Sequence, residues 1–150
     1  MSKKNKTNVM RVLDQQKIPY QGLEWESLGD IQDIDNVYKT LVTVGKSKNN
    51  YVFVVSTHHE LDLKKAAASV GEKNIHMIKE KDLLPLTGYV HGGCSPIGMK
   101  KELTTVIDQS AKDFDTIYVS GGRRGFSVEV APEMLDKVIP VSFADVQTQE

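Results

Sequence analysis

A mixed α/β domain is the fold class this sequence predicts, with a mixed, mostly antiparallel sheet and helices packed outside it. Three observations predict it. Strand-like runs at 37–44 (V-Y-K-T-L-V-T-V), 51–56, 104–107, 116–120 and 126–130 are separated by turn signals. Helical spacing of apolar residues occurs between such runs, after Thr7 and again over 61–70. The 150 residues fit one domain, residues 1–150, large enough to bury a core without disulfides or metal.

Each element follows from local chemistry. Thr7 is a helix N-cap, Val9, Val12 and Leu13 follow at helical spacing, and Pro19 ends the segment. Residues 20–25 read as a short strand, and 28–36, with Gly29 and three aspartates, as a loop or helical turn. In the strand 37–44, alternation puts Tyr38, Thr40, Val42 and Val44 on one face, and Val37, Lys39, Leu41 and Thr43 on the other. The polar turn 45–50 joins it to 51–56 as a hairpin. Residues 61–70 form a helix stopped by Gly71. A short strand at 74–78 precedes a helical turn at 79–84, closed by Pro85. The stretch 87–98 is a glycine-rich loop. Beyond it, two strands flank a short helical segment, and 121–125 is a tight turn into the strand 126–130. Pro132 opens a last helix, and 141–146 adds an edge strand. Residues 1–6 and 147–150 are expected to fray.

Composition narrows the class. Hydrophobic residues are 39% and charged residues 26%, ordinary globular values. The single cysteine, Cys94, excludes an internal disulfide and a cysteine-rich zinc site, and it fits a reducing compartment. No apolar run is long enough for a membrane span, so a cytoplasmic protein without a membrane partner is expected. The net charge of −1 argues against a general duplex binder such as a DNA-binding domain, and confines any nucleic-acid contact to a patch.

Lys39 is the first candidate for chemistry. A lysine inside an apolar strand either protects a sheet edge or points into a polar cavity, where it can bind a carbonyl, a phosphate or a ribose. The loop T-G-Y-V-H-G-G-C-S-P-I-G (87–98) is the second, because glycines let backbone N–H groups approach an oxyanion or phosphate. It lacks the Walker spacing. The third is S-G-G-R-R-G (120–125), a glycine hairpin whose two arginines can hold phosphate. Cys94 lacks an evident base and is not expected to be a nucleophile. His58 and His59 have no third ligand pattern and read as a solvated turn. No cofactor and no metal are expected.

Taken together, V-Y-K-T-L-V (37–42), L-D-L-K-K-A-A (61–67), T-G-Y-V-H-G-G-C-S-P-I-G-M-K-K (87–101), I-D-Q-S-A (107–111), I-Y-V-S-G-G-R-R-G (117–125) and S-F-A-D-V (142–146) resemble the prolyl-tRNA-editing family of YbaK/EbsC type, in order and in spacing. The resemblance implies a mixed sheet curled into a partial barrel with helices around it. It implies deacylation of misacylated tRNA, most typically Cys-tRNA(Pro), beside prolyl-tRNA synthetase as a transient partner, with the aminoacyl-tRNA acceptor end as substrate. Such a second sieve is useful because cysteine and proline are similar in size. The family's pocket lysine falls on Lys39. Its substrate loop falls on Gly92, Gly93, Ser95 and Pro96, and its serine and glycine pair on Ser120, Gly121 and Gly122. Where this chain has Trp25 and Ser127, cysteine-specific members often carry tyrosine and aspartate, and the segment between Trp25 and Val37 is shorter. These differences bear on amino-acid specificity.

The resemblance implies that Lys39 contacts the aminoacyl carbonyl or ribose, and that N–H groups near Gly92 and Gly93 stabilise an oxyanion. It also implies that the substrate thiol attacks its own ester, a lyase-type elimination; hydrolysis by water is the other route. Three alternatives stay open. They are a deacylase for another small residue such as alanine, a non-catalytic tRNA- or synthetase-binding accessory, and a nucleotide-binding domain using S-G-G-R-R-G.

Overall fold

The computed structural model describes residues 6–149. Three α-helices, eight strands and three short 3-10 helices are formed among them. The first helix, α1 (Asn8–Gln15), starts where the Thr7 hydroxyl accepts the Met10 N–H at 3.2 Å, and it buries Val9 and Leu13. Strand β1 (Gln21–Glu24) follows, then a 3-10 turn Leu28–Asp30. β2 (Tyr38–Gly45) and β3 (Asn50–Ser56) form the expected antiparallel hairpin, with Tyr38 opposite Ser56 and Val44 opposite Asn50. α2 (Leu63–Val70) is capped by Asp62 and ends at Gly71, whose φ of 74° is the left-handed conformation that glycine adopts without strain. β4 (Ile75–Met77), α3 (Glu80–Thr87), β5 (Thr104–Asp108), β6 (Ile117–Arg123), β7 (Phe126–Val130) and β8 (Val141–Ala144) complete the order.

The strands form two sheets. One has the order β1-β7-β6 and is antiparallel; the other, β4-β2-β3-β5-β8, is mixed, with β5 parallel to both β3 and β8. The mixed, mostly antiparallel α/β architecture is therefore present. The partial barrel is not: neither sheet is closed. A single parallel bridge, Val37 to Tyr118, links the two. β6 pairs with β7 along one edge, and its other edge meets the chain beside β2 only at this bridge, so among the described residues no continuous ladder joins the two sheets.

One core lies between the sheets and α1, built from Val9, Leu13, Tyr38, Val42, Val52, Val54, Ile117, Val119 and Val128. A second lies under α2, built from Phe53, Val55, Ala66, Ala67, Ile75 and Val106. β3 feeds both cores from its two faces, which explains its uninterrupted apolar run.

Three local expectations change. Pro85 does not close α3, which continues to Thr87. The proline, sixth of the eight helical residues, removes one main-chain bond in the second turn, and the last turn is held by Thr87 Oγ1 donating to the Leu83 carbonyl and by Gly88 N–H to Leu84. Residues 121–125 are not all turn: β6 runs to Arg123, with a pairing irregularity between Ser120 and Arg123 that absorbs Gly121 and Gly122. The tail around Gln147 is docked rather than frayed. Asp108, buried, accepts the N–H groups of Val146 (2.9 Å), Gln147 (3.1 Å) and Ser110 (3.0 Å), and the Gln147 side chain accepts the Ser56 N–H. Lys6 pairs with Asp14. Residues 1–5 and 150 lie outside the described residues.

Candidate functional site

Strand β2 has one edge fully paired with β3, and the other edge only partly paired. β4 covers that second edge at Thr43–Gly45, and the bridge to Tyr118 covers it at Val37. Between them the edge of Tyr38–Val42 has no strand partner. Strand alternation aims the main-chain groups of Thr40 into this gap, because Val42 turns its carbonyl to Ile78 on the β4 side while Val37 turns its carbonyl to Thr57.

A cavity of about 540 Å³ occupies the gap. Its walls are mainly apolar, with Ile31, Leu41, Met77, Ile78 and Phe126 among them, and its polar groups include Lys39, Lys79, Glu80, His91 and the serines 120 and 127. This is the usual composition of a small-ligand site, apolar walls with a few placed polar groups.

The structure brings Lys39, Trp25, Gly92, Ser120 and Ser127 to this one cavity. The Lys39 side chain is 29% exposed, and its Nζ lies 3.4 Å from Glu60 Oε1. Glu60 is 80% exposed, so the pair is weak and leaves the ammonium available. Trp25 Nε1 donates to Ser127 Oγ at 3.1 Å, joining two residues that are far apart in sequence. Trp25 and Ser127 thus form one neutral, hydrogen-bonded unit on the cavity wall.

The other expected site residues sit behind the wall. Gly93 packs on the Arg123–Arg124 backbone, where an added Cβ would come within 3.0 Å, and its N–H already donates to the Val90 carbonyl at 2.9 Å. It has no donor left for an oxyanion. Ser95 is fully buried and its hydroxyl accepts the Ile97 N–H; Pro96 is buried beside it. Gly121 makes room for the Phe126 ring, which itself lines the cavity: a Cβ there would sit 2.2 Å from Phe126 Cδ2. Gly122, at φ 104°, lies under Val9 and Tyr89. These residues shape the loop and the wall without lining the space.

Several lining residues were not singled out from the sequence. Ile31 comes from the short segment before β2 and is buried. Thr40 lines the cavity, and its Oγ1 is buried without a hydrogen-bond partner, a signal that only burial reveals. Cys94 also lines it. Burial pushes the Cys94 thiol up to about 11, partly opposed by a hydrogen bond with Thr87, so it is a neutral thiol near pH 7 and a poor nucleophile. His58 is occupied by the Ile34 carbonyl at 3.2 Å. Among the described residues no group of three or more His, Cys, Asp or Glu side chains is placed to hold a metal ion.

The state of Cys94 has two measurable consequences. Cys94→Ser is expected to keep most of the turnover, and a chelator to leave it unchanged; loss of activity in either assay would identify a missed nucleophile or metal. The raised thiol also links stability to pH. Between about 9 and about 11 an unfolded chain has lost the thiol proton while the folded chain keeps it. Stability should therefore be intact below pH 9 and fall as pH rises to 11, by roughly 3 kcal/mol at most. Chemical denaturation across this range should show a smaller drop in the serine variant.

Comparison with known proteins places this geometry. The sequence profile of the aminoacyl-tRNA editing domain matches residues 26–138, which span β2, the glycine-rich loop and the β6–β7 hairpin. A protein of Enterococcus faecalis (strain ATCC 700802 / V583), named as a proposed Cys-tRNA(Pro)/Cys-tRNA(Cys) deacylase, EbsC, is 41% identical over 97% of this chain and 95% of its own length. The solved structure of a proposed trans-editing enzyme for prolyl tRNA synthetase superposes with a TM-score of 0.82 at 23% identity, covering 94% of this chain and 95% of that one. The structure of a protein called APE2540 has the same fold, with a TM-score of 0.82 at 18% identity over 94% of this chain and 99% of that one. No helix among the described residues is long and apolar enough to cross a membrane. With the profile covering its central cavity-forming elements and a relative matched along nearly its whole length, this chain belongs to the aminoacyl-tRNA editing domain family.

Proposed function

We propose that this chain is a trans-editing aminoacyl-tRNA deacylase that clears misacylated tRNA(Pro), above all Cys-tRNA(Pro), and so protects translational fidelity. The observation that carries the reading is the 41% identity, along nearly the whole chain, to a protein named for that activity. The cavity supports it, since a mainly apolar space of about 540 Å³ suits an aminoacyl group and its ribose. Residues 1–150 act as one editing domain, in the cytoplasm, meeting prolyl-tRNA synthetase transiently.

In this reading Lys39 takes the ester carbonyl or the terminal ribose, and the Gly92 N–H faces the developing oxyanion. Trp25, Ser120 and Ser127 contact the aminoacyl moiety. Gly93, Ser95, Pro96, Gly121 and Gly122 act through the shape they give the loop and the Phe126 wall. For cysteine, the substrate sulfur attacks its own carbonyl. A C–S bond forms, the C–O bond to the ribose breaks, and the thiol proton ends on the ribose oxygen, leaving a thiolactone and free tRNA. Holding the cysteinyl chain in that conformer supplies a high effective molarity. For other residues water replaces the thiol, and ester hydrolysis gives the free amino acid.

The test is a panel of purified tRNA(Pro) species carrying Cys, Ala, Ser or Pro, scored for release of free tRNA. Clearance of Cys-tRNA(Pro) is expected. Binding of every species with release of none would reject an enzyme in favour of an accessory protein, and selective release from Ala-tRNA(Pro) would reassign the substrate.

Binding should also be local. A protein of net charge −1 that holds only the acceptor end needs two or three phosphate contacts. Single-strand-like contacts then give a log–log salt slope of roughly −1.4 to −2.1. A measured slope steeper than about −5 would mean a broad duplex footprint.

A further inference from the structure

The turn after β6 carries two adjacent arginines in different surroundings. Arg123 is committed within the domain: its Nη2 donates to Glu24 Oε2 at 3.1 Å, and its guanidinium lies 4.5 Å over the Phe126 ring. Arg124 is exposed and, among the described residues, takes part in no ion pair. Its Nε donates to the His91 carbonyl at 2.8 Å. Its side chain crosses Gly92 so closely that a Cβ there would meet Nε at 3.1 Å and Cγ at 3.3 Å. His91 and Gly92 both line the cavity, so Arg124 is held at its rim.

One of the five guanidinium donors is used in this anchor, and the two Nη groups keep theirs. Lys39 and Lys79 line the same cavity, against the single lining carboxylate of Glu80. With Glu60 beside Lys39 counted as well, Lys39, Lys79 and Arg124 stand against Glu60 and Glu80, a small positive excess at the mouth of a chain whose net charge is −1.

We propose that Arg124 forms a phosphate subsite at the cavity mouth, taking the phosphodiester next to the terminal nucleotide whose aminoacyl ester enters the cavity. This rests on the editing reading and adds to it the group that recognises the nucleic-acid backbone. A guanidinium fixed in advance presents a planar fork to two phosphate oxygens, and less side-chain entropy is lost on binding. Gly92 suits this arrangement, because its φ of 88° is left-handed and a Cβ there would press on the arginine stem, which would have to give way slightly.

The experiment uses two substrates, a cysteinyl acceptor-stem minihelix and a cysteinyl ester of adenosine that carries no phosphate. With Arg124→Gln, kcat/KM on the minihelix should fall about ten- to a hundredfold, mostly through KM, as for loss of one charge-assisted bidentate contact. Turnover of the adenosine ester, which has no phosphate to lose, should fall by a far smaller factor, and that smaller loss measures what the Nε–His91 bond contributes to the loop. The salt slope for binding the non-acylated minihelix should become shallower by about 0.7. Arg124→Lys should restore the slope but not the full affinity. Equal loss on both substrates, or an unchanged slope, would overturn the subsite and leave Arg124 as a staple for the glycine loop. Wild-type protein that cleaves neither ester would reject the editing reading itself, and the subsite with it.

Discussion

Lys39→Ala is expected to abolish deacylation, by at least about a hundredfold in turnover, while the domain stays folded. The magnitude is that of removing one preorganised group that stabilises charge in the transition state. The stability side follows from the surroundings of the residue. Its ionic partner among the described residues, Glu60, is 80% exposed at 3.4 Å, and such pairs contribute about 0–1 kcal/mol. The melting temperature should therefore move little. Glu60→Gln is the control: it breaks the same pair and should leave turnover near wild type. Near wild-type activity of the alanine variant would remove Lys39 from the mechanism, and a collapse of its melting temperature would show a structural lysine instead.

The second large effect is discrimination between two nearly isosteric substrates. Cys-tRNA(Pro) should be cleared fast and Ser-tRNA(Pro) should be nearly inert, a gap of at least about a thousandfold if thiol attack is the route. Size cannot produce it, because the hydroxyl analogue is slightly smaller and enters the same cavity. Nucleophilicity can, since a thiol has a thiolate fraction near neutral pH and an alcohol does not. The rate should rise with pH as that fraction grows. Cys94 adds nothing to this rise, because its own thiol stays protonated until about 11. Parallel turnover with the product identified by mass decides the matter. Thiolactone from Cys-tRNA supports the route; free alanine from Ala-tRNA with Cys-tRNA untouched rejects it. The neutral Trp25–Ser127 pair makes the comparison informative, since it stands where cysteine-specific relatives often carry a tyrosine and an acid.

Much of the fold was legible in the chain because the deciding forces act over a few residues. Thr7 caps α1 through a hydrogen bond to Met10, three positions on. Gly71 ends α2 because its φ of 74° suits glycine. The hairpin of β2 and β3 follows from two apolar runs and a polar turn. Lys39 stood out because a charge within such a run needs an explanation. Pro85 shows the limit of this kind of reading. Its propensity says stop, yet buried Leu83 and Thr87 carry α3 one turn further.

What the tertiary structure decided is where the chain fails to pair with itself. The cavity exists because β4 covers only the end of β2, and β6 touches only its start. Both facts depend on packing between residues tens of positions apart, for which no local propensity speaks. The same holds for the meeting of Trp25 with Ser127, for the docking of Val146 and Gln147 on Asp108, and for the different fates of two neighbouring arginines. The sequence by itself determined most of the elements and the family, and it singled out candidate residues for chemistry. Only the folded arrangement decided which of them share one space, because that choice is made by burial and hydrogen bonding across the whole domain rather than along the chain.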